Sequence, residues 1–187
     1  MRVIAGSARG LPLQSVVGTQ TRPTTDRVKE SLFNILSPHI AGSRFLDLFA
    51  GNGGIGIEAL SRGAMRAIFI DKSSRCSSMI KQNLQTAKLE GEVYKNDVGR
   101  ALPILRKREQ QFELIFLDPP YGRNLIIPTL QSITENNLVT KHGIIIAEYG
   151  KKEEIPIAMW NLTQVRIEKY GDTNLAFYRH EEDLSEN

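Results

Sequence analysis

The sequence predicts an α/β fold built on a mostly parallel sheet, and two observations support this fold class. Short segments rich in Ile, Val, Leu and Phe alternate with segments of helix length, which is the spacing of parallel strands joined by crossover helices. In addition, residues 112–117 and 143–147 are continuously apolar, as in strands covered on both faces. These two segments are therefore expected at the centre of the sheet. A chain of 187 residues suffices for one domain with a single large core.

The first 40 residues precede the alternating pattern and are expected to form an N-terminal extension. Residues 1–17 alternate weakly around a glycine-rich turn, which predicts a small β-hairpin. A helix follows, and Asp26 or Thr25 can cap its start. Its buried stripe is expected to contain Val28, Leu32, Ile35 and Leu36.

The remaining strands follow in order. Five are predicted at 44–49, 66–70, 92–95, 112–117 and 143–149, and two more, at 164–170 and 174–180, are joined by "GDTN" as a closing antiparallel hairpin. The expected organisation is an extension at 1–40, a core at 41–180 and a flexible acidic tail at 181–187.

Charge is distributed unevenly along the chain. The net charge is +3, but the last seven residues contain four acids and no base, so the rest of the chain is more basic than the total suggests. A basic body suits a polyanionic partner, although surface lysines also serve solubility. The extension carries cations that could contact such a partner, with a merely solvated basic face as the alternative: Arg2, Arg9, Arg22, Arg27 and Lys29.

Composition argues against several classes of protein. A single cysteine, Cys76, excludes an internal disulfide, and its position on the apolar side of a helix with Ile80 predicts a core residue. Three scattered histidines argue against a zinc site, so no metal is expected. With neither a signal pattern nor an apolar stretch of membrane-spanning length, we expect a cytoplasmic protein without membrane contact.

A glycine loop follows the first core strand in "FLDLFAGNGGIGIEALSRGA". Gly51, Gly53 and Gly56 fit G-x-G-x-x-G between a strand and a helix, where a ligand can approach the backbone. That pattern alone is weak. Asp71, at the end of the next strand, is placed to bind ribose hydroxyls, so an NAD-dependent oxidoreductase stays open at this point.

Two further carboxylates favour S-adenosylmethionine (AdoMet) over a dinucleotide. Asp47 lies within the strand before the glycine turn, where it would repel a phosphate but could accept hydrogen bonds, through water, from an ammonium group. Asp97 ends the third strand and could accept from the adenine amino group while the Val98 backbone meets the ring. The alternative interpretation is that these acids only cap helices.

The segment "FELIFLDPPYGRN" places an aspartate, two prolines and a tyrosine after the buried fourth strand. Asp118 and the Pro119 carbonyl can accept the two hydrogens of a nucleobase amine and aim its lone pair at a sulfonium methyl group. Pro119 and Pro120 fix the backbone of the loop, and Tyr121 can stack on a base that has left its helix. The alternative is an ordinary proline-rich turn.

At these residues the sequence resembles the RsmD family of AdoMet-dependent amino-methyltransferases. The resemblance covers Met1 to about Arg179 and rests on "MRVIAGSARGLPL", "TRPTTDRVKESLFNIL", "LDLFAGNGGIGIEALSRGA", "LDPPY" and "YGDTNLAFYR", in that order. It implies a Rossmann-like class I methyltransferase with a seven-stranded sheet whose last strand is antiparallel. One departure is "GNGGIG", where many relatives have "GSGALG", but the glycines are retained.

The resemblance also implies a function and a set of residues. Members methylate the N2 amine of one guanine in 16S ribosomal RNA, in the context of the small subunit, and we expect a monomer. The catalytic set implied is Asp118, Pro119, Pro120 and Tyr121. The AdoMet-binding set is Asp47, Phe49, Ala50, Gly51, Gly53, Asp71, Lys72, Asp97 and Val98. The RNA-binding set is Arg2, Arg9, Arg22, Thr24 and Arg27.

Alternatives of other kinds remain. An adenine-N6 methyltransferase acting on DNA or RNA would use the same cleft, although the extension is small for a sequence-specific DNA reader. A ribosome-assembly factor with a vestigial cleft is a second alternative, and the intact Asp118 and Asp47 argue against it. An NAD oxidoreductase would leave "DPPY" unexplained.

Overall fold

The structure is a computed structural model that describes residues 1–15 and 25–184. Its elements in chain order are α1 (Asp26–Ile40), β1 (Arg44–Leu48), α2 (Gly54–Ser61), β2 (Arg66–Asp71), α3 (Ser74–Ala87), β3 (Glu92–Lys95), α4 (Val98–Lys107), β4 (Phe112–Leu117), α5 (Ile126–Glu135), β5 (Val139–Gly150), β6 (Ala158–Met159), β7 (Leu162–Tyr170), β8 (Thr173–His180) and a 3-10 helix (Glu181–Leu184).

All the strands belong to one sheet in the order β3-β2-β1-β4-β5-β8-β7-β6. Strands β1 to β5 pair with one another in parallel. β8 runs antiparallel to β5, and β7 runs antiparallel to β8. The predicted α/β class, with a parallel core and a C-terminal antiparallel hairpin, is confirmed. The sheet has eight strands rather than seven, because the two-residue β6 pairs with the outer edge of β7. A strand that short has no periodicity to detect in a sequence.

The two strands predicted to be central, β4 and β5, lie between two hydrophobic clusters. Leu114 and Phe116 of β4 face the cluster that α1, α2 and α3 cover, and Ile115 and Leu117 face the cluster of α4 and α5. Helices therefore cover both faces of β4, which is why its sequence is apolar except at Glu113, which pairs with Arg44 at 2.6 Å. β5 begins at Val139, earlier than expected, because Val139 pairs with Phe112 ahead of a register irregularity.

The N-terminal extension is a short hairpin-like strap followed by α1. A single antiparallel bridge joins Arg2 to Pro12, and the Leu13 N–H donates to the Met1 carbonyl at 3.0 Å. At the start of α1, the Thr25 hydroxyl accepts from the Val28 N–H at 3.3 Å, so Thr25 is the cap.

A buried carboxylate fixes this strap to the core. Glu58 of α2 accepts from the backbone N–H groups of Ile4 and Ala5 at 2.8 and 3.0 Å, and it pairs with Arg62 at 2.7 Å. Its second ionic partner is Lys29 of α1, at 3.2 Å, and neither side chain of that pair has any exposed surface. The strap, α1 and α2 are thus joined at one residue, and residues 1–15 contribute to the same hydrophobic cluster as the sheet.

The segment predicted as a flexible acidic tail differs from expectation where it is described. Residues 181–184 form one turn of 3-10 helix, and Asp183 is buried. Its carboxylate accepts from the His142 N–H at 2.9 Å and lies 3.1 Å from the His142 ring. This bonding holds the turn against the start of β5; residues 185–187 lie outside the described part of the chain.

Within residues 1–15 and 25–184, no helix is both long and apolar enough to cross a bilayer. In the same ranges, no cluster of three or more His, Cys, Asp or Glu side chains could hold a metal ion. Cys76 is buried on α3, as predicted for a core residue.

Candidate active site

Four carboxylates meet at one edge of the sheet because the carboxyl ends of neighbouring parallel strands coincide. Asp47 lies in β1, Asp71 ends β2, and Asp97 and Asp118 directly follow β3 and β4. All four line one cavity of about 590 Å³. This is where ligands bind in open parallel α/β sheets, and the volume is that of a small-molecule site.

The glycine loop forms one wall of this cavity and needs unusual backbone conformations. Phe49, Gly51 and Gly53 all have positive φ, at 59°, 57° and 78°. Phe49, Ala50 and Gly51 line the cavity, whereas Gly53 does not and instead gives α2 its left-handed start. A non-glycine residue with positive φ is strained, so Phe49 is held there by the packing of the loop.

Asp71 holds the loop in place. One carboxylate oxygen accepts from the Gly51 N–H at 2.9 Å and the other from the Ser73 N–H at 2.8 Å. Each oxygen has a second lone pair, so a ribose hydroxyl could still donate to it. Lys72 also lines the cavity.

Asp47 is the most deeply buried of the four acids, with 2% of its surface exposed. Burial raises its pKa to about 8; a hydrogen bond from the Gly56 N–H, 2.9 Å long, opposes the rise and the charge of Asp71 adds to it. An anionic phosphate would increase this cost, whereas a nearby cation would lower the pKa and restore the carboxylate. The position thus suits a sulfonium or ammonium ligand.

Asp97 stands at the first position before α4 but makes no capping hydrogen bond with its side chain. By contrast, Ser73 caps α3 by accepting from the Cys76 N–H at 3.4 Å. The interpretation of these acids as helix caps therefore does not hold for Asp97. Asp97 is exposed, and it lines the cavity together with the buried Val98.

The "DPPY" loop forms another part of the wall of this cavity. Asp118 is partly accessible, and its N–H donates to the Leu48 carbonyl at 3.4 Å. Burial raises the pKa of Asp118 well above its usual value, and the charges of Glu148, Asp47 and Glu153 raise it further. Pro120 lines the same cavity, whereas Pro119 is buried and does not line it.

Tyr121 does not line that cavity but lines a second one. This residue is 44% exposed, and its hydroxyl lies 3.4 Å from Thr173 Oγ1. The second cavity, of about 1140 Å³, is lined among others by Tyr121, Gly150 and Glu153. The "DPPY" loop therefore borders both cavities, the first through Asp118 and Pro120 and the second through Tyr121.

Several residues that line or adjoin these cavities were missed from the sequence. Met1 and Ser15, at the two ends of the strap, line the first cavity, and no sequence signal indicates this. Glu148 is buried in β5, directly after the apolar run 143–147, and an acid at that place in a predicted central strand was the available signal. Glu153 lies in the polar run "KKEE", which is typical of a solvated loop.

Only some of the cations expected to bind RNA lie at the surface of the described part of the chain. Arg2, Arg9 and Arg27 are exposed, and Arg2 pairs with Asp26 at 3.2 Å. Lys29 cannot contact RNA because it is fully buried against Glu58, which corrects its place among the surface cations. Arg22 and Thr24 lie outside the described residues.

The chain matches one family model, described as "Conserved hypothetical protein 95", over residues 1–179. The chain belongs to this family. It is 47% identical over 181 residues to "Putative rRNA methyltransferase YlbH" of Bacillus subtilis, covering 96% of this chain and 98% of the relative. It is 36% identical over 182 residues to "Ribosomal RNA small subunit methyltransferase D" of Haemophilus influenzae, covering 96% and 94%.

A solved structure from Escherichia coli extends the likeness to the fold. The protein, "Putative methyltransferase yhhF", has a TM-score of 0.84 and 32% identity, covering 96% of this chain and 97% of its own. The resemblance to the RsmD family inferred from the motifs is thus confirmed, and so is the class I methyltransferase fold.

Proposed function

We propose that the protein transfers a methyl group from AdoMet to the exocyclic N2 amine of a specific guanine in 16S ribosomal RNA. At a coarser level, the family makes the chain an AdoMet-dependent methyltransferase of the ribosomal RNA class. The observation that carries the finer proposal is the position of Asp118, an acid at the end of the AdoMet cavity on a loop that borders a second cavity.

The first cavity fits AdoMet by its chemistry. Of the residues that line it, Asp47 would bind the cationic end of AdoMet, Asp71 the ribose, and Asp97 with Val98 the adenine. The ligand itself supplies an electrophilic methyl group on a sulfonium. The remaining chemistry depends on how the chain presents an amine to that methyl.

Asp118 acts as the acceptor that orients the amine. The lone pair of an exocyclic amine is delocalised into the base, so the amine reacts only when it is positioned and its hydrogens are held. Asp118 accepts one hydrogen, the Pro119 carbonyl accepts the other, and the proton finally leaves to Asp118 or to solvent. A raised pKa makes Asp118 a better proton acceptor once it is ionised.

Tyr121 and the extension serve the RNA. Tyr121 is exposed enough for a flipped base to stack on its ring. Arg2, Arg9 and Arg27 are exposed on the extension, whose strap also lines the AdoMet cavity through Met1, so RNA phosphates bound there would lie beside the site. We expect the protein to act as a monomer in the cytoplasm, on RNA within an assembled or assembling small subunit.

The experiment is to incubate the protein with labelled AdoMet and either free 16S RNA or small subunits that lack the modification, and then to map the label. Methylation at N2 of one guanine supports the proposal. Label on an adenine N6 would favour the adenine methyltransferase instead. RNA binding without transfer would favour an assembly factor.

A further inference from the structure

The second cavity is lined by a carboxylate, Glu153, that is bonded to the residue after the "DPPY" loop. The Glu153 N–H donates to the Gly150 carbonyl at 2.9 Å, and Glu153 Oε1 accepts from the Gly122 N–H at 3.3 Å. The loop after β5 is therefore tied to the residue that follows "DPPY". A side chain at Gly150 would meet Glu153 Oε1 at 3.5 Å and the Tyr121 ring at 3.8 Å. The ring and the carboxylate thus border one space that the glycine leaves open.

Three acids act electrostatically on Asp118, and only one of them is available to a base. Asp47 lines the first cavity, and Glu148 lies within β5. Each of these two residues has only 2% of its surface exposed. Glu153 is partly exposed and lines the second cavity with Tyr121. Its charge raises the pKa of Asp118.

We infer that Glu153 accepts the N1–H of the target guanine and thereby selects guanine over bases whose N1 carries no hydrogen. This inference rests on the proposed function. With the N2 amine held at Asp118, the next atom along the base edge is N1, which in guanine is a donor that a carboxylate can accept. In adenine, N1 is an acceptor, and its lone pair would face the carboxylate. A site built around one hydrogen bond rejects an analogue that cannot make it.

The test uses 2-aminopurine, which has the N2 amine of guanine but no hydrogen on N1. Small subunits are reconstituted with 16S RNA that carries guanine or 2-aminopurine at the mapped position, and kcat/KM for methyl transfer is measured on both. The variant is Glu153→Gln, in which the Gly122 N–H holds the amide oxygen and leaves the amide N–H₂ for the base. The matched control is Glu154→Gln, an exposed acid lining the same cavity.

The wild-type protein should favour guanine over 2-aminopurine. Glu153→Gln should lower that ratio by about 10- to 100-fold, the worth of one hydrogen bond to a charged group, and should raise transfer to 2-aminopurine in absolute terms. Glu154→Gln should leave the ratio unchanged. A misfolded variant cannot gain activity on the analogue, so this result would exclude a merely structural effect.

Two results would overturn the inference. One is a Glu153→Gln variant with the wild-type ratio, and the other is an equal loss on both substrates, which would mean that Glu153 only holds the loop. Failure of the proposed function looks different, because the wild-type protein would then transfer no methyl to guanine subunits at all, and the inference would fall with it.

Discussion

Replacing Asp47 by Asn should stabilise the ligand-free protein at neutral pH while weakening its affinity for AdoMet. Asp47 is buried with a pKa of about 8, against an ordinary value of 3.8. Between these two pH values the folded chain holds a proton that the unfolded chain releases, so the free energy of unfolding falls as pH rises. An asparagine avoids this cost and can accept the same N–H from Gly56.

The expected size follows from the pKa difference. At pH 7 the cost of keeping Asp47 is at most about 4 kcal/mol, and at pH 5 it is roughly 1.5 kcal/mol. Partial relaxation around the group would reduce both figures. The stability gained by Asp47→Asn should therefore grow by about 3.5 kcal/mol, as an upper value, between pH 5 and pH 8.

The assay is urea unfolding of the ligand-free wild-type and variant proteins at pH 5 and pH 8, together with calorimetric titration of AdoMet. The control is Asp97→Asn, which removes an exposed carboxylate from the same cavity. Both variants should bind AdoMet more weakly, by about 1–3 kcal/mol, but only Asp47→Asn should be more stable. A stability difference between wild type and Asp47→Asn that stays constant with pH would refute the reasoning.

Three further outcomes are expected. Asp118→Ala should slow methyl transfer by about two to four orders of magnitude in single-turnover assays with little effect on AdoMet affinity, and near-wild-type turnover would remove Asp118 from the mechanism. Glu58→Ala should lower the free energy of unfolding, measured in urea, by about 3–5 kcal/mol, because it leaves the buried Lys29 without its carboxylate. A free energy of unfolding equal to that of wild type would mean that water reaches the site. Replacing Arg9 and Arg27 by Ala should raise the KM for the ribosomal substrate, and it should reduce the slope of log binding constant against log salt concentration by about one per lost phosphate contact. An unchanged slope would mean that these arginines face solvent and do not contact RNA.

The sheet and the first cavity could be predicted from the sequence because their determinants are local. A run such as 112–117, which is apolar except at Glu113, indicates a strand covered on both faces, and the residue after it lies at the carboxyl end of the strand. Parallel pairing then brings Asp71, Asp97 and Asp118 to one edge without further information. The cap at Thr25 was equally local, since it depends on three residues of chain.

The residues that were missed owe their roles to contacts between distant parts of the chain. Lys29 looks like a surface cation because its charged neighbours are exposed, and only the docking of α1 on α2 places it against Glu58. Glu153 belongs to a charged run whose composition is typical of a loop in solvent. It reaches the "DPPY" loop because β5 ends beside β4, and the sequence does not state that adjacency.

The acids around Asp118 connect the electrostatics of the cleft to the order of the reaction. Burial and the charges of Glu148, Asp47 and Glu153 all raise the pKa of Asp118, so without a cation this carboxyl tends to keep its proton and is then a poor acceptor. The positive charges of AdoMet would offset this rise in the pKa of Asp118, whereas the pyrophosphate of a dinucleotide would add to it, which argues against the NAD interpretation. If Asp118 orients the target amine, as proposed, the amine should be held more firmly once the methyl donor is bound. On that proposal the charge of the cofactor favours the ionised Asp118, and we expect AdoMet to bind before the base is captured.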